Sequence, residues 1–327
     1  MSTITQTYPS LVEVVRRLNP NGSIATIAEH LAKLNPILDH IPWVEGNLPT
    51  GHRVTGRTAL PAPTYRKLNE GVDGTMSKTT QYDEVTCMLE AYSKIDVDLC
   101  KLNGNTAEFR ASEEKAFVES FNQELVRAFL YESTAANPER MQGLSPRYTS
   151  STTGTNAGYV FKGTNSGVNC QSVWLISWDP DKVFGIFPKG SQGGLSYQDL
   201  GQQLVPDSAN KQFLAYVGRW QWKPGLCVRD YRYNVRMQWD PDDTTNFANT
   251  ATGLMDMMGD SLTTVYQLTP NARFYMSRKS FKLMQNQLKN KQANYLEWVD
   301  AGGKRVAQYL GVPVTILDAL VDESAVS

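Results

Sequence analysis

The sequence predicts an α+β fold, and three observations carry that expectation. Residues 84–95 alternate apolar and polar side chains, the period of a half-buried strand. Residues 112–131 repeat apolar positions at helical spacing, and the C-terminal third mixes both periods. The stretch from Val44 to Gln81 fits neither: it holds Pro49, Pro61 and Pro63, five glycines and few large apolar residues. It cannot close a core of its own, and loops this long inside a compact domain are usually functional or disordered. Short strand-like pieces flank its turn residues, so it reads as a projecting arm that lies on something outside its own domain.

With 327 residues, 41% of them hydrophobic, the chain can bury a substantial core as one large domain or two ordinary ones. Thirty-two basic and 33 acidic residues give a net charge of −1, so no global charge argues for nucleic acid or an anionic membrane. No apolar run reaches membrane-spanning length, and the N-terminus lacks a basic-then-apolar secretory signal, so a soluble, cytosol-made protein is expected.

The elements follow in order. Leu11, Val14, Val15 and Leu18 form one apolar stripe over 11–18. Ile24, Ile27, Ala28, Leu31, Leu34 and Leu38 form another over 22–39, after the break Asn19-Pro20-Asn21-Gly22. After the arm, Val85, Cys87, Leu89, Ala91 and Ile95 face one way and Glu84, Thr86, Glu90 and Lys94 the other. Arg53 to Leu60 is placed to pair with the start of that strand, making the arm a long hairpin that alone would be marginal in water. Ser112 is expected to cap the next helix, with Glu113 and Glu114 in its first turn, where the helix dipole favours them. Ala116, Phe117, Phe121, Leu125, Ala128 and Phe129 form its stripe through about Tyr131. It is either an ordinary core helix or a spine on which other parts hang.

Residues 133–169 are turn-like. Two aromatic hairpins are expected next: Ser172–Trp178 with Val183–Phe187 about the turn 179–182, and Ala215–Trp222 with Leu226–Trp239 about Lys223-Pro224-Gly225. In the last strand Arg232 and Arg236 oppose the aromatic row and read as a solvated basic face. The C-terminal part predicts a helix from about Leu254 to Leu268, a strand Arg273–Met276, a helix Ser277–Asn290, a helix near Gly303–Leu310 and a strand Val312–Leu317.

Signals for catalysis are sparse. His30, His40 and His52 all lie in the N-terminal sixth, and GxSxG, HExxH and zinc-type Cys/His spacings are absent. Cys87, Cys100, Cys170 and Cys227 are far apart and read as reduced, buried and non-catalytic. Asp240, Asp242 and Asp243 lack EF-hand spacing and its closing Glu, and read as a solvated turn. Pro188 to Gly194 has the glycines of a phosphate loop without the GxxxxGK[ST] order, and Gly302-Gly303-Lys304 is too short for a cofactor fingerprint. No catalytic, cofactor-binding or metal-binding residue is expected, and no enzyme. Two other classes stay open: a nucleic-acid-binding protein, from the arginines and aromatics between Arg219 and Trp239, and a β-rich carbohydrate-binding or glycoside-cleaving protein, from the seven tryptophans.

The local sequences resemble a tailed-bacteriophage major capsid protein of the Hong Kong 97-like fold. Residues 41–52 (IPWVEGNLPTGH) are similar to the start of the extended loop in capsid proteins of short-tailed phages. Residues 89–93 (LEAYS) and 102–105 (LNGN) lead into the helix in the same way, and 185–191 (GIFPKGS) and 227–233 (CVRDYRY) are also similar. The resemblance covers nearly the whole chain and is strongest for Bordetella-type phages. It implies an N-terminal arm over 1–43, an extended hairpin loop over 44–83, a peripheral domain over 84–160 with its spine helix at 112–131, and an axial domain over 161–327 with some strands returning to the peripheral domain. A segment like Arg273–Met276 with Gly311–Val314 follows the strands of 183–239 here and precedes them in the founding member, which implies a variant segment order. The resemblance further implies hexamers and pentamers of an icosahedral virion shell around double-stranded DNA, assembled in the bacterial host cytoplasm. A separate scaffolding protein, a portal protein and room for a decoration or cement protein go with it, together with non-specific contact with packaged DNA, no membrane and no cofactor.

Charge suggests how copies meet. Thr50 to Tyr82 carries Arg53, Arg57, Arg66, Lys67 and Lys78 against Glu70 and Asp73, net +3. Ser112 to Glu132 carries Glu113, Glu114, Glu119, Glu124 and Glu132 against Lys115 and Arg127, net −3. The arm of one subunit is expected to lie over its neighbour's spine helix, with charge setting register and backbone and apolar contacts supplying most of the affinity. In a free subunit the arm is expected to be the most mobile region.

Overall fold

The computed structural model describes residues 33, 35–101, 106–163, 167–207, 209–240, 253–291, 296–301 and 304–327. The helices expected over 11–18 and 22–39 lie outside these residues, apart from one turn, α1 (Ile37–His40). Then come β1 (Trp43–Glu45), β2 (Gly51–Ala59), β3 (Lys78–Val85), β4 (Leu89–Asp96), α2 (Val97–Lys101) and α3 (Thr106–Tyr131). The strands β5 (Val160–Lys162), β6 (Gln171–Trp178), β7 (Val183–Phe187), β8 (Ser196–Pro206), β9 (Gln212–Trp222), β10 (Gly225–Val228) and β11 (Asn234–Trp239) follow. The chain continues through α4 (Leu254–Thr264), β12 (Asn271–Met276), α5 (Arg278–Lys291), β13 (Leu296–Ala301), β14 (Lys304–Tyr309) and β15 (Val312–Ile316).

The centre is a mixed sheet in the order β13-β14-β15-β12-β6-β11-β5. Every residue of β6 and β11 is buried, as a sheet covered on both faces requires. On one face Trp174, Ile176, Trp178 and Tyr275 share a core with Tyr148 and with Leu125, Val126, Phe129 and Leu130 of α3. On the other, Val173, Leu175, Val235, Met237 and Phe274 pack with Leu254, Met255 and Met258 of α4 and Leu283 and Met284 of α5. The result is a helix, sheet, helix sandwich in which residues from both sides of position 160 share one core. Two three-stranded sheets, β1-β7-β10 and β4-β9-β8, and the hairpin β2-β3 complete it.

Several expectations change. The strand over 84–95 is two strands: β3 pairs with β2, and β4 pairs with β9. Its inward phase holds through β4 but fails in β3, where Glu84 is buried and Val85 exposed, because Glu84 has a buried cationic partner. The spine helix starts at Thr106, so Ser112 lies inside it and is no cap, and Glu113 and Glu114 are not in its first turn. Phe109, packed with Ile95 and Cys100, extends the apolar stripe upstream. Neither aromatic hairpin forms. β6 joins the central sheet, while β7 pairs with β1 and β10. β9 pairs with β4 and with the unexpected β8, and Leu226–Trp239 is split into β10 and β11 by a 3-10 turn at Tyr231–Tyr233. A tight turn fixes where the chain reverses, but not which sheet takes each flanking strand. The segment 304–309 is a strand and not a helix: Ala307 and Tyr309 point inward at period two, which a short apolar run does not distinguish from a helical stripe. Arg236 is not on a solvated face but buried against Glu323.

Candidate intersubunit surfaces

The arm is a hairpin, as the strand-like flanks suggested, paired from Gly51 with Val85 to Ala59 with Lys78. Its root is built into the body. Glu84 accepts two hydrogen bonds from the Arg147 guanidinium, both at 2.6 Å, with the side chains only 5% and 16% exposed. Arg147 is itself held by the carbonyls of Gly143 at 3.1 Å and Gln142 at 3.0 Å. The Tyr82 hydroxyl donates to the Arg229 carbonyl at 3.0 Å, and burial pushes its pKa up to about 12. Asn47 brackets Arg53, accepting from its N–H at 2.6 Å and donating to its carbonyl at 2.9 Å. Gly51 is required there: a Cβ would lie 2.0 Å from the Glu84 carbonyl oxygen. The strands therefore meet at a fixed angle to the body.

Beyond the strands the arm is bare. Residues 60–76 are all exposed, among them Leu60, Tyr65, Leu68, Val72 and Met76, each at least half exposed. Asn69 takes a positive φ of 67° in the turn that bonds Glu70 N–H to the Lys67 carbonyl at 3.3 Å.

The expected interface residues sit as follows. Arg53 makes a two-point pair with Asp83 of its own hairpin, at 2.7 and 2.8 Å. Arg57 lines a cleft at the hairpin root. Arg66 reaches only the Lys67 carbonyl, at 3.4 Å, and Lys67 and Lys78 have no acidic partner among the described residues. On α3, Glu113 is half-buried, and Glu114 accepts from the Tyr197 hydroxyl at 2.6 Å. Glu119 accepts from the Lys33 N–H at 3.0 Å and from Gln123, and Glu124 pairs with Arg127 at 2.9 Å. Glu119 and Glu124 line one groove of about 450 Å³ with Lys33, Arg127, Ala319 and Val321. Within one chain, none of the five arm cations meets any of these four glutamates among the described residues. The net charge of the helix over Thr106–Tyr131 is −2: Arg110 and Glu108 in its upstream turns cancel, and Glu132 lies beyond its end.

Sequence reasoning missed the anchors. Glu84 reads as the polar side of a strand and Arg147 sits in a turn-rich stretch, so nothing local signals their pairing. The chemistry found is inert. All four cysteines are free and buried, with burial pushing Cys87 up to about 11 and Cys227 up to about 12, far from a reactive thiolate. Among the described residues no three His, Cys, Asp or Glu side chains cluster as metal ligands, and no helix is long and apolar enough to cross a membrane. Asp242 and Asp243 lie outside the described residues.

A long hairpin with a bare end on a sandwich body is the geometry of a chain that functions in contact with others. The family model for major capsid protein GP7 matches residues 19–327. The chain belongs to that family. The cryo-EM structure of bacteriophage Epsilon15 aligns over 100% of this chain and 99% of its own, with a TM-score of 0.79 and 28% identity. The capsid of bacteriophage JBD30 aligns over 90% and 95%, with a TM-score of 0.51 at 9% identity, a likeness of fold alone. No curated protein sequence matches. This phage major capsid protein has the Hong Kong 97-like fold, forms a capsid shell and belongs to the virion; it is a structural protein and not an enzyme.

Proposed function

We propose that the hairpin of each capsid subunit is a clasp that lies across a neighbour, over the groove of its spine helix that Glu119 and Glu124 line. The observation that carries this reading is an anchored root with a bare distal half: five exposed apolar residues together with Arg66, Lys67 and Lys78, which lack an acidic partner among the described residues. A fully buried Leu, Met or Val contributes roughly 1.5–3 kcal/mol, against about 0–1 kcal/mol for an exposed ion pair. Apolar burial therefore holds the clasp and charge selects its register. Arg53 acts differently from the other cations, stiffening its own hairpin through Asp83.

In this reading residues 1–43 are the N-terminal arm, 44–83 the clasp, 84–160 the peripheral part and 161–327 the axial part. The subunits form hexamers and pentamers of an icosahedral shell around double-stranded DNA, assembled in the host cytoplasm with a separate scaffolding protein, a portal and room for a decoration protein. The motifs at 41–52 and 185–191 favour a short-tailed, Bordetella-type phage. The test is reversal of the partnerless cations. The triple variant Arg66→Glu, Lys67→Glu, Lys78→Glu is expected to stay folded by circular dichroism and to yield no shells by electron microscopy. Shells in normal number would overturn the clasp.

A further inference from the structure

A cleft of about 770 Å³ opens where the hairpin leaves the body, walled by Thr55, Gly56, Arg57 and Tyr82 on one side and by the turns 181–182 and 229–232 on the other. Four cations and two carboxylates line it, leaving a surplus of two positive charges. Asp230 is consumed by Arg232 at 2.8 Å, and that guanidinium lies over the Tyr266 ring at 4.2 Å. Asp181 reaches Arg229 only at 3.5 Å, with both side chains about half exposed or more. Arg57 has no carboxylate partner among the described residues, and Lys182 sits over the Tyr233 ring at 5.4 Å. Tyr82 cannot move to fill the space, because its hydroxyl is bonded to the Arg229 carbonyl. Beside Gly56 nothing lies closer than 3.9 Å to where a Cβ would be, so the floor is open.

The complement of this cleft is on the same chain. Glu70 and Asp73 are exposed at the hairpin's turn and bond to no cation among the described residues. They are three residues apart, so they span at most about 10 Å, enough to reach two cations in one cleft. Two surplus positive charges face two spare carboxylates. We propose that the cleft at the hairpin root receives the Glu70–Asp73 turn of a neighbouring copy's hairpin. Such a contact joins two different patches of identical chains, so it repeats head to tail and closes into a ring when the rotation allows. It rests on the clasp reading and adds to it the place where the tip ends. Lys67 and Asp73 are six residues apart, so the helix contact and the cleft contact of one hairpin must lie within about 20 Å of each other.

The test uses the full chain and shell yield on density gradients. The cleft reversal Arg57→Glu, Arg229→Glu and the tip reversal Glu70→Lys, Asp73→Lys are each expected to lower yield about tenfold, and the combined variant to recover it, as coupled sites do. Either reversal assembling at wild-type yield, or a folded combined variant without recovery, overturns the pairing. The clasp itself is judged separately by the Arg66, Lys67 and Lys78 reversal. A second measurement does not depend on stability: Arg229→Cys with Asp73→Cys in one chain, oxidised after assembly, is expected to give a ladder of linked chains on a denaturing gel, and unlinked chains overturn the proposal. A cleft reversal that forms normal shells but retains less DNA would make the cleft a nucleic-acid contact and would also overturn it.

Discussion

Replacing Glu84 by Gln tests whether the hairpin is held by the body or merely attached to it. The substitution keeps the side chain's shape and removes its charge. It leaves the Arg147 guanidinium, 16% exposed, with no anionic partner, only the carbonyls of Gly143 and Gln142 and the new amide oxygen. Removing one partner of a buried pair costs about 3–5 kcal/mol. The surviving carbonyl bonds and the amide oxygen that Gln still offers bring the expected loss to about 2–3 kcal/mol. Urea denaturation of the purified chain reads it directly: with a slope of about 3 kcal/mol/M, the midpoint falls by roughly 0.7–1 M. A cycle through Arg147→Met and the double variant isolates the pair, and a coupling of at least about 1.5 kcal/mol is expected. The paired variant should be less damaged than the sum of the singles, because no charge is left buried without a partner. Hydrogen exchange over 78–85 should quicken in Glu84→Gln and not in a surface control such as Lys115→Gln. If Glu84→Gln shifts the midpoint by less than about 0.2 M, or if the coupling is zero, the root is not anchored by charge and the argument for a fixed hairpin angle fails.

Three further outcomes follow from the same structure. His40 Nδ1 is hydrogen-bonded to the Tyr275 hydroxyl at 3.0 Å, and that hydroxyl accepts from Trp178; burial and nearby Arg273 lower the His40 pKa to about 4, against the opposing pull of Asp39. A depressed pKa means that the unfolded chain binds the proton first, so stability is full above about pH 6.5 and is lost as pH falls toward about 4, by about 1–2 kcal/mol once partial exposure is allowed for; His40→Gln should flatten that slope in pH-dependent melts. Gly51→Ala drives a Cβ against the Glu84 carbonyl and should cost about 2–4 kcal/mol in urea denaturation, whereas Gly71→Ala, with open space around it, should cost less than about 1 kcal/mol. All four thiols should resist a thiol-reactive dye in the native chain and react together on unfolding, because each is buried and its pKa is raised.

The sequence was most informative where a single local rule decided the outcome. The hairpin, the long helix and the C-terminal α4, β12, α5 and β15 all follow from periodicity and turn residues, although the long helix starts six residues before its expected cap. It was least informative where the partner of a strand is remote. The paired residues of β7 and β10 lie at least 39 residues apart, and nothing in either strand marks the other. The same holds for charge. Arg53, Arg57, Arg66, Lys67 and Lys78 looked equivalent as one basic arm, yet Arg53 is satisfied within its own hairpin and Arg57 belongs to the cleft. Counting charges along the chain finds the surplus but not which residues hold it. That requires knowing which carboxylates fold beside them.

This division bears on how the hairpin works. A contact at its tip fixes the next subunit only if the hairpin's angle to the body is fixed, since a loose hinge would let the same contact form at many orientations. The Glu84–Arg147 pair, the Tyr82 hydroxyl and the tight Gly51 crossing lock the strands at the root. The arm therefore joins a bonded root to a bare end. In the proposed clasp, the apolar residues at that end would add affinity without cost to the free subunit's own fold, because none of them is part of its core. Stiffness at the root and incompleteness at the tip are thus separable by mutation. Glu84→Gln should leave tip contacts intact and broaden the angles between subunits, giving shells of mixed size, whereas Leu68→Ser with Tyr65→Ser should lower yield and leave the remaining shells uniform. Electron microscopy distinguishes the two, and uniform shells from Glu84→Gln would refute the lever.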